Sequence, residues 1–490
     1  MDKTSNHFDV LIIGAGISGI GSATHLKNQC PEKTFCVLEG MESFGGTWLM
    51  HKYPGVRSDS DLFTFGYRFK PWNGKPIASA EEILNYMGEV IEENDLASHI
   101  RYNRHIVRAN WSDDSQQWTL SVSNKKTGEE ETYTCNFLWM NQGYYEHAKG
   151  YTPEWPGMDR FKGPIVHPQT WPEDLDYKGK KVVIIGSGAT TATVAPAIAG
   201  ECEHLTVLQR SPTYFVPRPN SNELTTQLRE LGVDDATVHD ITRRQILKEQ
   251  QEVVALSRLH PEAVKAALIN GVKEHLPEGY DVDTHFTPRY RPWRQRIAVV
   301  PDGDLFKGIS AGKASMVTDE IESFTEKGLL LKSGQELEAD IILTATGFNL
   351  SVLGGIRFFV NDQEIDFAQS VTYRGMMFTN LPNMAWVMGY FRASWTLRVD
   401  LIGDFICRLL KHMDSKNVKQ VSLTIPEEDK DMELLPWGDE EEFNPSYLLR
   451  SMHLLPKRGD RANWQHTQDY WEEREILPKV DLDDSIFAYS

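Results

Sequence analysis

A chain of 490 residues is too long for one ordinary domain and predicts two or three, with room for a large buried core. Its formal net charge of −19 and lack of a long basic run exclude a nucleic-acid binder, and no apolar run reaches the roughly 18–20 residues of a membrane span. Cys30, Cys36, Cys135, Cys202 and Cys407 show no C-x-x-C spacing, which speaks against a structural metal or disulfide framework and for a reducing cytoplasm.

Polar residues lead directly into a first strand, with no secretory signal expected. Phe8 to Ile13 is short, apolar and β-branched, as a buried parallel strand should be. Gly14-Ala-Gly16-Ile-Ser18-Gly19 follows, and then a helical pattern through Ile20, Ala23 and Leu26. Gly14 would make the tight turn, Gly16 would admit a pyrophosphate, and Gly19 would let helix and strand pack closely, with the helix N-terminus facing the anion. Thr34 to Leu38 reads as the second strand, ending at Glu39, where a carboxylate would hold ribose hydroxyls and repel a 2′-phosphate. The pattern predicts a first site for FAD or NAD.

Gly45-Gly46-Thr47-Trp48 comes next, and then Arg57-Ser58-Asp59. Disulfide reductases place a redox cysteine after a similar Gly-Gly-Thr; Trp48 stands there instead, which argues against thiol–disulfide chemistry. Taken alone, Asp59 reads as a turn or helix-capping residue. Phe137 to Tyr145 should carry the chain out of the first unit. Phe161-x-Gly163-x-x-x-His167-x-x-x-Trp171 forms an irregular linker, in which Gly163 permits unusual backbone angles, Pro164 and Pro168 add stiffness, and the aromatic ends offer anchors.

Lys181 to Ile185 predicts another buried strand, followed by Gly186-Ser-Gly188-Ala189-Thr190-Thr191. The third small position is Thr191, so either the helix stands further off or Ala192 takes the close contact. His204 to Leu208 ends at Gln209-Arg210, and a guanidinium at the ribose position suits a 2′-phosphate, as in NADPH. Val264, Leu268, Val272 and Leu276, with Val238, Ile241 and Ile246, predict a helical insertion within the second nucleotide domain. Residues 287–296 crowd four arginines together, among which composition does not choose. Asp340 to Phe348 reads as a strand returning the chain to the first unit; Met384 to Phe391 and the helix from Trp395 complete that unit. Trp395 and Tyr390 read equally well as pocket lining or core, and the acidic tail from Pro426 as a surface wrapping.

The 161–171 pattern between two glycine loops, with Arg57 to Asp59 and Gln295-Arg296, resembles the type I Baeyer–Villiger monooxygenases, class B flavoprotein monooxygenases, in the branch of the ethionamide-activating enzyme. The likeness spans nearly the whole chain and implies an α/β fold of two dinucleotide-binding (Rossmann-like) domains with a helical insertion. The expected divisions are an FAD domain over 1–148 and 341–490, an NADPH domain over 149–216 and 289–340, and the insertion over 217–288. The resemblance makes Arg296 the catalytic cation, with Asp59 orienting it beside the flavin. It adds Ser18, Thr47, Trp48, Arg57, Ser58, Val107, Ala189 and Thr190 to the cofactor contacts, and makes 161–171 the hinge that lets NADP move. Relatives often carry Lys where Gln295 stands, so 2′-phosphate binding would rest more on Arg210. The activity implied is insertion of one oxygen atom of dioxygen beside a ketone carbonyl, through a flavin C4a-peroxide, to give an ester or lactone, with thioether sulfoxidation as a second activity. The alternatives are a flavin monooxygenase acting on amines or sulfides, a disulfide reductase, and a non-enzymatic flavin sensor.

Overall fold

Two separate sheets, each opened by a strand, a glycine loop and a helix, organise the computed structural model, which describes residues 6–490. In the nine-stranded first sheet, His7–Ile13 lies parallel between Phe35–Leu38 and Glu130–Met140. Met384–Trp386 pairs in parallel with the end of Glu130–Met140. Gln117–Asn124 and Arg104–Ser112 extend the sheet antiparallel, and Arg357–Val360 adds to it from late in the chain. The helix Ile17–Gln29 shares one apolar core with Trp395–Lys416, Ile20 and Leu26 burying against the layer that holds Val399, Ile402 and Phe405. Three-residue strand and 22-residue helix thus close the first unit as expected.

The second sheet is all parallel, in the order Ala314–Thr318, His204–Gln209, Lys181–Ile185, Ile341–Thr344, Ile165–Val166. Its strands are continuous apolar runs because helices cover it: Val182, Ile184, Leu205, Val207 and Leu343 pack in one core with Ala192, Ala195 and Phe306. The fold is α/β with two dinucleotide-binding units, as the glycine loops predict.

Three sequence expectations need correction. Ile341–Thr344 pairs with Lys181–Ile185, so the second sheet runs past the expected boundary at 340 and the chain returns only afterwards. Sequence position alone could not say which sheet an apolar strand joins. The insertion does hold four helices, Glu223–Glu230, Asp235–Leu259, Pro261–Lys273 and Val282–Phe286. The long one, however, docks on the first unit. Arg243 donates to the carbonyls of Phe63, Thr64 and Gly66, and Ile246 enters that unit's core, while Ile241 is exposed. Finally, the tail is not a surface wrapping. Trp437 and Trp464 are fully buried, and Glu473 receives a bidentate pair of bonds from the buried Arg398 at 2.8 and 3.0 Å.

Candidate active site between the two glycine loops

Both loops adopt the geometry their glycines require. Gly14 and Gly186 have φ of +101° and +110°, and a Cβ there would lie 2.7 Å from the Asn141 carbonyl oxygen or 2.4 Å from that of Ala345. A Cβ at Gly19 would lie 1.8 Å from the Gly14 oxygen, so helix and loop touch directly. In the second loop the matching residue is Thr191, buried, whose hydroxyl donates to the Gly186 oxygen at 2.9 Å. The helix stands off just enough for a hydroxyl to span the gap. Nothing lies within 4 Å of a Cβ built at Gly188, so that backbone is open to a phosphate. These are the features a dinucleotide pyrophosphate needs, and the residues present fit one at each loop.

Around the first loop, Glu39 is buried and accepts N–H bonds from Ala15 at 2.6 Å and Met41 at 2.8 Å. Burial raises its pKa against the pull of those bonds. Ser18 is buried and accepts from the Trp395 indole at 2.7 Å, tying the loop to the late helix. Thr47 is exposed and Trp48 half-buried against Phe65. Val107 is skipped where the register of its strand shifts between Ile106 and Arg108, and its side chain is exposed.

In the second unit Ala189 opens the helix, and Tyr53 of the first unit sets its hydroxyl against Thr190. Gln209 is buried and donates to the His285 carbonyl at 2.7 Å and to Thr318 at 3.0 Å, fixing the strand end. Arg210 beside it is exposed and forms no ion pair among the described residues. Gln295 faces Asn444.

The units meet through alternate residues of one short loop. Arg57 reaches Asp304 at 2.6 Å and the Ala192 carbonyl at 3.0 Å; Asp59, two residues on, pairs with Arg296. Ser58 between them is buried and turns back to the Ser60 carbonyl at 2.8 Å. The side chains of Arg57 and Ser58, both expected among the cofactor contacts, bond to the opposite unit and to the loop itself. Arg296 and Asp59 are each about a third exposed, at 34% and 32%. Asp59 raises the Arg296 pKa, and Tyr144, Tyr447 and Tyr145 act in the same direction. The guanidinium is therefore charged at any working pH.

Those tyrosines were not anticipated. Tyr144 bonds to Tyr145 at 2.8 Å and stacks on Trp395 with ring centroids 5.1 Å apart, while Tyr145 packs on Phe348 at 4.7 Å. The pair ends the crossing segment Phe137 to Tyr145, and Tyr447 comes from the tail with no local signal. Tyr390 is core, donating to Glu473 at 2.5 Å, whereas Trp395 faces the site.

The linker pattern gathers at the crossings. Tyr145–Gly150 and Phe348–Leu350, the outgoing and returning segments, pair antiparallel. His167 binds across them: its Nε2 donates to the Gly347 carbonyl at 3.0 Å, because Nδ1 accepts the Gln169 N–H at 3.1 Å. Burial lowers its pKa. Burial also lowers that of His51 nearby, there to about 4. Phe161 is buried in the second unit and Trp171 packs on Tyr177. Gly163 does not need unusual angles; a Cβ there would lie 2.0 Å from the Asp340 carbonyl oxygen, so close approach excludes a side chain.

Residues 76–414 match the family described as flavin-binding monooxygenase-like. The chain is 46% identical to the FAD-containing monooxygenase EthA of Mycolicibacterium smegmatis, over 97% of this chain and 96% of that one. It is 42% identical to EthA of Mycobacterium tuberculosis, over 98% and 97%. In fold it resembles an oxidised steroid monooxygenase bound to NADP (TM-score 0.76, 22% identity, 99% of each chain). It also resembles an ε-caprolactone-bound cyclohexanone monooxygenase (TM-score 0.76, 21% identity, 99% of this chain and 100% of that one).

Proposed function

Because the chain belongs to the flavin-binding monooxygenase-like family, we propose that it is an FAD- and NADPH-dependent monooxygenase of the Baeyer–Villiger type. The reaction converts a ketone, dioxygen, NADPH and a proton into an ester or lactone, NADP and water. FAD held at the first loop would supply the activated oxygen atom from dioxygen, with electrons from NADPH held at the second.

The observation that carries the reading is the Arg296–Asp59 pair at the seam of the two units. Attack on a carbonyl places negative charge on oxygen, and a fixed guanidinium in a partly enclosed site stabilises it. Asp59 holds that guanidinium in place and keeps it charged. Oxidation of an amine or sulfide by an electrophilic oxygen has no such need of a cation. The Gly14 loop and Glu39 would hold FAD, and Val107 would meet it through its backbone. The Gly188 backbone, Thr190 and Arg210 would hold NADPH, Arg210 through its 2′-phosphate. His167, with both ring nitrogens on backbone groups, would hold the crossings rather than move a proton.

The test is product analysis with purified protein, NADPH, labelled dioxygen and simple ketones. Ester carrying one labelled oxygen is expected; NADPH oxidation yielding only hydrogen peroxide, or sulfoxide with no ester from any ketone, would overturn the reading. In the same assay Arg210→Ala should raise the KM for NADPH by roughly tenfold or more and leave NADH unaffected. Equal effects on both would remove the 2′-phosphate contact.

A further inference from the structure

Next to Arg296, four parts of the chain converge on one carboxylate. Glu442 of the tail is paired with Arg258 of the insertion at 2.9 Å, Arg291 of the second unit at 3.1 Å and Arg392 of the first unit at 2.9 Å. Arg294 pairs with the neighbouring Glu441 at 2.9 Å. Four guanidinium groups thus share two carboxylates, in a chain whose formal net charge is −19.

The cluster also carries unused donors. The Arg392 side chain is 6% exposed, yet its buried Nε has no hydrogen-bond partner among the described residues; nor has Nη1 of Arg291. Unpaired buried donors are costly, and an ion network serving only to fasten the tail would have no reason to retain them. Burial pushes the Arg392 pKa below the usual arginine range, and Arg258 and Arg291 add to this against the pull of Glu442. A further anion would relieve that repulsion. Glu442 and Arg258 are 41% and 43% exposed, so the cluster opens to solvent above the buried Arg392.

Buried aromatic rings join it to Arg296. Phe391, next to Arg392, stacks on Phe443, next to Glu442, at 4.9 Å, and lies 6.2 Å from Tyr144, one of the rings around Arg296. A cation that serves the carbonyl, an aromatic span and a cationic mouth with free N–H groups follow one another.

We propose that the substrate is an oxo-carboxylic acid, its carboxylate bound by Arg392 and Arg291 in exchange for Glu442 while its ketone lies at Arg296. This rests on the oxygenation site proposed above. The phosphates of the dinucleotide are already provided for by the Gly188 backbone and Arg210.

An oxo-octadecanoic acid and its methyl ester, which differ only in the carboxylate, test it in the holoenzyme. The free acid should have the higher kcat/KM by roughly tenfold or more. Arg392→Met should remove that preference, mainly through KM, and Arg392→Lys should restore part of it. Glu442→Gln, which removes the competing carboxylate, should act oppositely and lower the KM for the acid. Equal rates for acid and ester, with a simple ketone still oxygenated, would overturn this inference alone. So would an Arg392→Met effect confined to the KM for NADPH, which would assign the cluster to the dinucleotide. Failure to oxygenate any ketone would overturn the proposed function, and this inference with it.

Discussion

Arg296 stands out from the other arginines of its stretch by the company it keeps. Arg291 and Arg294 pair with the tail, while Arg296 meets Asp59 from the opposite unit. Replacing Arg296 by Ala removes the cation at which oxyanion charge would develop. We expect FAD to remain bound, because no loop glycine depends on this side chain, and ester formation to fall by about 10²–10³ in kcat. Titrating the flavin and assaying the ester on one preparation checks both halves. Retained ketone oxidation would show that another group carries the charge. Tyr144 and Tyr145 form the wall of this site, and aromatic residues after a crossing strand are too common to have marked them as such.

Among elements, the loop of Arg57 to Asp59 sets how the two units fit together. Arg57 is bidentate to Asp304, at 2.6 and 3.3 Å, and this pair seats the second unit so that Arg296 arrives beside Asp59. Asp304→Asn should lower coupling, with more NADPH spent on hydrogen peroxide per ester, and Arg57→Asp with Asp304→Arg should recover part of it. If the double exchange is as poor as either single change, the pair does not position the units. The crossings make a pH prediction. His51 has its pKa lowered to about 4 by burial, from an ordinary value near 6.5. Its contribution to stability is therefore complete above about pH 6.5 and is lost as the pH falls towards 4, because the unfolded chain takes up a proton that the fold refuses. The loss is on the order of 3 kcal/mol at this residue. Melting curves from pH 7 to pH 4 should fall more steeply for the native chain than for His51→Gln; parallel falls would place the acid sensitivity elsewhere.

Across the whole molecule the tail and the insertion decide the architecture. Glu473 accepts from Arg398 and from Tyr390, and Arg398 also donates to the Met388 and Arg374 carbonyls at 2.8 and 2.6 Å. Removing one partner leaves a buried, uncompensated charge. Glu473→Ala should destabilise the fold by about 3–5 kcal/mol in chemical unfolding, and a loss below about 1 kcal/mol would mean the tail is held by its apolar contacts alone. Both glycine loops with their strands and helices were legible because each depends on a few neighbouring residues obeying backbone sterics and a fixed strand period. The bound partner of Arg57, the sheet that Ile341–Thr344 joins and the docking of Asp235–Leu259 on the first unit were not, because each contact spans more than a hundred residues of sequence. The sequence by itself determined the two nucleotide folds and the order of their parts. Only the tertiary structure decided which charges meet, since the same arginine or aspartate suits many partners until packing brings one of them within reach.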